Sequence, residues 1–206
     1  EALSRFRVPQ LEGRVRFGAP DDFGVRSLPA ILSRFAATHP LVEVEVFLST
    51  SVNLARRFEA AEIDMILTVS AQSDPAPGEV IHSEPLVWVG ARDGMAFSKT
   101  PVPLALSSHG CPWRAAALAA LDKNGRRYRI AYTSEAAAGQ LAAVMADLAI
   151  APLPVSLVDE QHRRLTERDG FGAIGSYQLR LQKNPDIGSA AQAFADHVRA
   201  SFGRHD

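Results

Sequence analysis

The side chains able to do chemistry in this 206-residue chain are concentrated in a few short runs. One is Ser107-Ser108-His109-Gly110-Cys111-Pro112-Trp113, which puts a histidine two positions before the chain's single cysteine. That pairing suggests a thiolate nucleophile with its base, or half of a metal site. A nucleophile also needs an oxyanion-stabilising group and a residue to orient the base, and nothing in the spacing marks either. A structural zinc takes about four ligands, and no second cysteine or spaced histidine pair is at hand. Cys111 therefore reads as a small, partly buried apolar residue, able to line a pocket. The second run is Asp21-Asp22-Phe23. Adjacent carboxylates between a strand and a helix either cap the helix and complement its positive end or contact a ligand, and one residue can do both. As ligand contacts they oppose an anion and favour an amine or hydroxyl group. No phosphate-binding loop, dinucleotide glycine fingerprint, nucleophile elbow or HExxH helix is present. The combined absence favours a binding protein over an enzyme and implies no cofactor and no metal.

The elements that must position these residues follow from periodicity. Val15 to Gly18, Val42 to Leu48 and Ile63 to Val69 read as strands. Between them, Leu28, Ile31, Leu32, Phe35 and Ala36 fall on one helical face, and Leu54, Phe58 and Ala61 repeat the pattern more weakly. Pro29 suits a first helical turn and Pro40 stops that helix. Ser49, Thr50 and Ser51 precede the second helix, so one of them is its N-cap. Strand, helix, strand, helix, strand implies parallel strands with right-handed crossovers. Ligands of such sheets sit beyond the carboxyl ends of the strands, which here are 18–23, 49–53 and 68–70.

The second half repeats this logic without repeating the sequence. After a loop over 71–78, Glu84 to Ala91 and Leu104 to Ser107 read as strands. Pro112 opens a helix with Ala115, Leu118, Ala119 and Leu121 as its apolar positions, closed by Asn124-Gly125. Tyr128 to Tyr132 is a strand. Thr133 and Ser134 are cap candidates for a helix burying Leu141, Val144, Met145 and Leu148. Residues 148–154 (LAIAPLP) form a short buried strand, and Val155 to Glu160 reads as another helix. Tyr177 to Gln182 alternates like a strand. Ile187 to Phe202 is a last helix with Ala190, Ala193, Phe194 and Val198 inward.

Composition narrows the classes. Lys and Arg total 22 against 23 for Asp and Glu, a net charge of −1 that argues against a large nucleic-acid surface on this stretch. A lone cysteine excludes an internal disulfide and fits a reducing compartment. No apolar run reaches membrane-span length and no signal segment opens the chain, so the expectation is cytoplasmic, with no membrane partner. Glu43 and Glu45 alternate with valines, as on a strand edge protected against aggregation or at the rim of an interface.

The ordered series GRVRFGAPDDFG, LPAILSRFAATHPLVEVEV, LARRFEAAEIDMIL and AYTS followed by LAAV and IAPLP resembles the effector-binding domain of LysR-type transcriptional regulators, from Gly13 to about Phe202. The resemblance implies two Rossmann-like α/β subdomains joined by two crossover segments, as in type 2 periplasmic binding proteins. Subdomain I is expected over 13–86 and 176–206 and subdomain II over 87–175, with 1–12 the end of a linker from an N-terminal helix-turn-helix domain absent from this chain. It implies a small-molecule effector bound in the inter-subdomain cleft, a homodimer or tetramer, and DNA contact only through the missing domain. Ser49, Thr50 and Thr68 match pocket positions on one side, with Ser51 beside them. Ser107 to Trp113 and Tyr132 to Ser134 match on the other, with Pro152 added; Trp113 is either a stacking wall or core. The hydroxyls also have an ordinary use as caps. A bilobal solute receptor and, less readily, an enzyme on this scaffold are the alternatives.

Overall fold

A computed structural model describes residues 10–72 and 75–203. The chain divides into two compact units. Residues up to Thr68, with those from Leu181 onward, form the first, and Val69–Arg180 the second. Most of the expected linker, residues 1–9, lies outside the described residues, and Glu12 already belongs to the first strand.

In the first unit, β1 (Glu12–Ala19) lies between β2 (Leu41–Leu48) and β3 (Met65–Ala71), parallel to both. Phe17 is paired with Val46 and Met65, and Gly18 with Phe47 and Ile66, so β1 and β2 end level at Ala19 and Leu48 while β3 runs on past them to Ala71. Alternation on β1 sends successive residues to opposite faces. On one face Phe17 meets α2 (Leu28–Thr38) and α6 (Ser189–Phe202), and its ring stands 5.2 Å from that of Phe194, which is 4.9 Å from Phe35. These edge-to-face contacts add to the burial of three large rings. On the other face lies α3 (Ser51–Glu59), whose Leu54 joins Ile63 and Ile66. A Cβ on Gly18 would stand 2.8 Å from Leu54 Cδ2 and 3.0 Å from Ile66 Cγ2, so only glycine lets α3 sit this close.

The aspartate of AAEIDMIL ties this unit together. Asp64 Oδ2 accepts the Arg16 N–H at 2.7 Å, and its Oδ1 takes Arg16 Nη2 at 2.6 Å and Nε at 3.2 Å. The Asp64 N–H donates to the Arg16 carbonyl at 2.9 Å. Its own carbonyl accepts the Asn184 N–H at 3.0 Å, and Asn184 Nδ2 donates to the Ile63 carbonyl at 2.9 Å. The carboxylate hydrogen bond raises the Arg16 pKa.

In the second unit, β4 (Glu79–Ala91) pairs antiparallel with β7 (Ala151–Pro154) and β8 (His162–Leu165). β5 (Val102–Leu106) and β6 (Tyr128–Thr133) are parallel, and Leu104 bridges to Ile150. The connections are α4 (Pro112–Lys123) and α5 (Ala137–Met145). Trp88, Leu104, Leu106, Ala117, Leu121 and Phe171 form one core; Val87, Val89, Ala105, Val144 and Leu153 form another. The chain passes between units within β3 and within β9 (Gly175–Lys183), which are neighbours in the sheet.

Several expectations need correction. An unforeseen helix, α1 (Asp21–Arg26), holds Asp21 and Asp22 in its first turn, with Pro20 in the cap position. Ala36 is exposed, and Ala61 lies past α3 at φ 56°. In α4 the buried stripe is Trp113, Arg114, Ala117 and Leu121, leaving Ala115 and Ala119 outside. Met145, on the outer side of the last turn of α5, and Leu148, past its end, are exposed. Asp147 then turns at φ 53°, its carboxylate accepting the N–H groups of Met95 (2.9 Å) and Ala96 (2.8 Å), which lowers its pKa. The helix expected over 155–160 is a 3-10 turn, Val155–Leu157; Asp159 Oδ1 then accepts the Gln161 N–H at 2.8 Å and turns the chain into β8. β4 is one continuous strand with its partners β7 and β8 in the second unit.

Phe194→Ala should lower unfolding free energy by about 3–5 kcal/mol, and Asp64→Ala by about 1–2 kcal/mol because it leaves the Arg16 backbone N–H without its acceptor, while the guanidinium can turn to water. Urea unfolding midpoints measure both.

Candidate functional site

In the first unit, the strand ends gather the predicted residues. The Ser49 N–H donates to the Ala19 carbonyl at 3.1 Å, joining the ends of β1 and β2. Thr50 is the cap of α3, its Oγ1 accepting the Asn53 N–H at 3.3 Å, and Asn53 Nδ2 reaches Ser49 Oγ at 3.4 Å. Ser51 is the first helical residue. Thr68 is buried on β3, and its Oγ1 accepts from Gln182 Nε2 at 3.2 Å. Phe23 is drawn into the core, 5% exposed, between the rings of Phe17 (6.1 Å) and Phe202 (5.9 Å). Asp21 and Asp22 make no side-chain cap. Burial instead pushes the Asp22 carboxyl up to about 6, against a pull downward from Arg26 and nearby backbone N–H groups.

In the second unit, Ser107, Cys111, Trp113, Thr133 and Ser134 surround the ends of β5 and β6. The Ser134 N–H donates to the Leu106 carbonyl at 3.0 Å, and the Ser134 carbonyl accepts Gln140 Nε2 at 3.1 Å. Ser134 Oγ donates to the Ala136 carbonyl at 2.9 Å; the cap position of α5 is Ala136, not Thr133 or Ser134. The Ser107 carbonyl receives Arg114 Nη1 at 2.8 Å, and Ser108 Oγ donates to Glu135 at 3.1 Å. Cys111 holds the cap position of α4 without a side-chain hydrogen bond. Trp113 is 7% exposed and packs on Tyr177 with ring centres 5.2 Å apart. Pro152 sits inside β7 in register with Trp88, not at a strand end.

Sequence reasoning missed a buried polar pair. Tyr177 Oη donates to Glu84 Oε1 at 2.7 Å, while Glu84 Oε2 accepts the Ser156 N–H at 3.0 Å and His82 Nε2 lies 3.5 Å from Oε1. The only advance signal was an acidic residue opening the apolar stretch 84–91. His109 is exposed. Among the described residues no group of three or more His, Cys, Asp or Glu side chains is placed to hold a metal. A separate hollow of about 370 Å³, with Leu86, Trp88, Leu165, Phe171 and Ile174 in its walls, includes none of the predicted residues.

Residues 9–203 match the family described as the LysR substrate binding domain. The chain belongs to that family. It is 32% identical over 207 residues to the HTH-type transcriptional regulator DgdR of Burkholderia cepacia, covering 97% of this chain and 68% of that protein. To the HTH-type transcriptional regulator PecT of Dickeya dadantii (strain 3937) it is 27% identical over 186 residues, covering 90% of this chain and 58% of PecT. Among solved structures, the effector-binding domain of QuiR in complex with shikimate matches at a TM-score of 0.74 and 15% identity, over 95% of this chain and 99% of that one. The architecture is thus that of two α/β subdomains in the manner of periplasmic binding proteins, as the sequence implied. The matched folds are those of regulatory and effector-binding domains. Among the described residues of this LysR domain, no helix is long and apolar enough to cross a membrane.

The raised Asp22 pKa fixes the sign of a stability effect. The native domain keeps a proton that the unfolded chain, at 3.8, releases first, so stability falls as pH rises from about 4 to about 6. Asp22→Asn should match the parent near pH 4 and exceed it at pH 7.5 by on the order of 1–2 kcal/mol, read from urea titrations across that range.

Proposed function

We propose that this domain binds a small metabolite at the strand ends of its two units and relays that binding to a DNA-binding segment of a longer, cytoplasmic transcriptional regulator. The observation that carries the reading is the collection of hydroxyls, carboxylates and helix starts at the carboxyl ends of β1 and β2, with Thr68 within the neighbouring β3, in one unit and at those of β5 and β6 in the other, in a chain of the LysR family. The effector engages both sets in the cleft that the family resemblance implies. It acts by preferring one arrangement of the units, which shifts an equilibrium already present. No step of chemistry on the ligand is required, and the domain is not an enzyme. DNA is reached only through the helix-turn-helix part of the full protein, in keeping with the HTH-type relatives.

Asp21 and Asp22 give the effector an amine or hydroxyl group. A carboxylate that is half neutral near pH 6 becomes a full counter-charge when an ammonium group arrives, so binding expels its proton. The working assembly is a homodimer or tetramer. The edge strand β2 supports this, exposing Leu41 and Leu48 at its ends and holding its charge in the Arg14–Glu45 pair at 2.9 Å.

Isothermal titration against amine-bearing metabolites tests the site. Affinity should strengthen from pH 5 to pH 7, lose that dependence in Asp22→Asn, and fall about tenfold or more in Asp22→Ala and Thr133→Ala, the loss of a charge-assisted or buried hydrogen bond. Unchanged affinity in both alanine variants removes these residues from the site.

A further inference from the structure

A basic face and an apolar hollow adjoin on the second unit. The turn after α4 is held against the stretch that runs from β8 into the 3-10 turn Glu167–Asp169. Arg126 Nη1 donates to the carbonyls of Asp169 and Gly170, each at 3.2 Å, and its Nη2 to that of Phe97 at 2.6 Å, while the guanidinium lies 4.0 Å over the Phe171 ring. Arg163 pairs with Asp169 and covers the Phe97 ring at 4.5 Å. A Cβ on Gly172 would stand 2.5 Å from Asn124 Nδ2, so the two segments also meet there. Both arginines are committed to the fold and make this face rigid. The outer cations are not committed. Lys123, Arg127, Arg164 and Arg168 are exposed, and among the described residues none of them forms an ion pair. Of the acids on the same segments, Asp122 accepts a hydrogen bond from the Tyr128 hydroxyl and Asp169 holds Arg163, which leaves Glu167. Four cations on one fixed surface with so little counter-charge raise the local positive potential and draw an anion toward it.

Arg164 and Glu167 also line the hollow of about 370 Å³, together with Leu86, Leu165, Phe171 and Ile174. The hollow exists because β8 ends at Leu165, in register with Trp88 of β4, and the chain bows away before β9 begins at Gly175. Its rim is open. Ala173 is exposed, and a Cβ on Gly175 would meet nothing within 4 Å. The volume falls within the range of about 300–1,000 Å³ usual for binding pockets, and it has room for a large apolar side chain. Apolar walls bordered by arginines are the anatomy of a protein interface, in which a central anchor is buried and charges ring it. A nucleic acid fits less well, since its phosphates need a continuous cationic track, which Glu167 interrupts, and it brings no apolar side chain to bury.

We infer that this face docks an acidic segment of another protein, whose carboxylates meet Lys123, Arg127, Arg164 and Arg168 while one apolar residue enters the hollow. Arginine suits the role, because its planar fork takes a carboxylate through two hydrogen bonds and it is weakly hydrated. The surface lies wholly on the second unit and shares no residue with the predicted effector positions, so it stands independently of the effector-binding reading.

Fluorescence anisotropy with three labelled probes tests the proposal: an oligo-glutamate peptide with one central leucine, its all-glutamate counterpart, and a duplex DNA. The leucine peptide should bind about tenfold more tightly than the all-glutamate one, the gain from burying a leucine side chain in part, and binding should vanish at about 1 M salt. Replacing Lys123, Arg127, Arg164 and Arg168 together by Gln should weaken both peptides by about tenfold or more. All four are exposed, and a circular dichroism melt matching the parent's shows that the variant is folded. Arg34→Gln with Arg56→Gln, exposed cations of the first unit, should change nothing. Ala173→Phe, which fills the rim of the hollow and leaves every charge in place, should bring the leucine peptide down to the level of the all-glutamate one. Equal affinity of the parent for the two peptides, unchanged binding by the fourfold Gln variant, or DNA bound as tightly as the leucine peptide each overturns the proposal.

Discussion

The constraint on which the first unit depends is the set of bonds around Asp64. Its carboxylate and backbone hold Arg16 of β1, and its carbonyl holds Asn184, which follows β9. Segments distant in sequence are thereby fixed beside the parallel strands β1 and β3. Parallel strands cannot be joined by a tight turn, so their register has to come from packing and from side chains such as this one. With β1 anchored at its middle, Phe17 is directed to the α2 and α6 face and Gly18 to α3, and β1 and β2 end level, just before Asp22 of α1 and Ser49.

The two candidate surfaces are electrically unlike. One presents carboxylates in the first turn of a short helix, one of them made costly to ionise by burial. The other presents an uncapped helix start and an indole N–H with no acceptor. Each holds a polar group at a cost in stability, a buried carboxyl on one and a buried N–H on the other. Unmet polar groups cost stability, and a domain that responds to a small molecule can recover that cost only when the molecule is present.

Much of this was legible in the residue order. Leu28, Ile31 and Phe35 mark the buried face of α2, and the alternation of Tyr177, Leu179 and Leu181 marks β9. Thr50 could be placed among the cap candidates because its function is local. Features that depend on distant partners were not legible. Glu84 and Tyr177 lie 93 positions apart, and neither carries a local sign of the other. α1 is six residues long, too short for a periodic face to be seen. β8 reads as His-Arg-Arg-Leu and becomes a strand only because β4 has an edge to pair. Alanine misled in α4, where Ala115 and Ala119 face outward, since it is equally at home on either side of a helix and carries little information about facing.

The twofold passage of the chain through β3 and β9 sets a timetable. A ribosome delivers residues 69–180 complete while the earlier strands still lack their closing helix. Until α6 emerges, Phe17 and Phe35 have no Phe194 to rest against, and a broad aromatic surface stays wet. The inserted unit therefore matures first and the enclosing one last, which makes the nascent chain most vulnerable to clumping during the synthesis of its own middle.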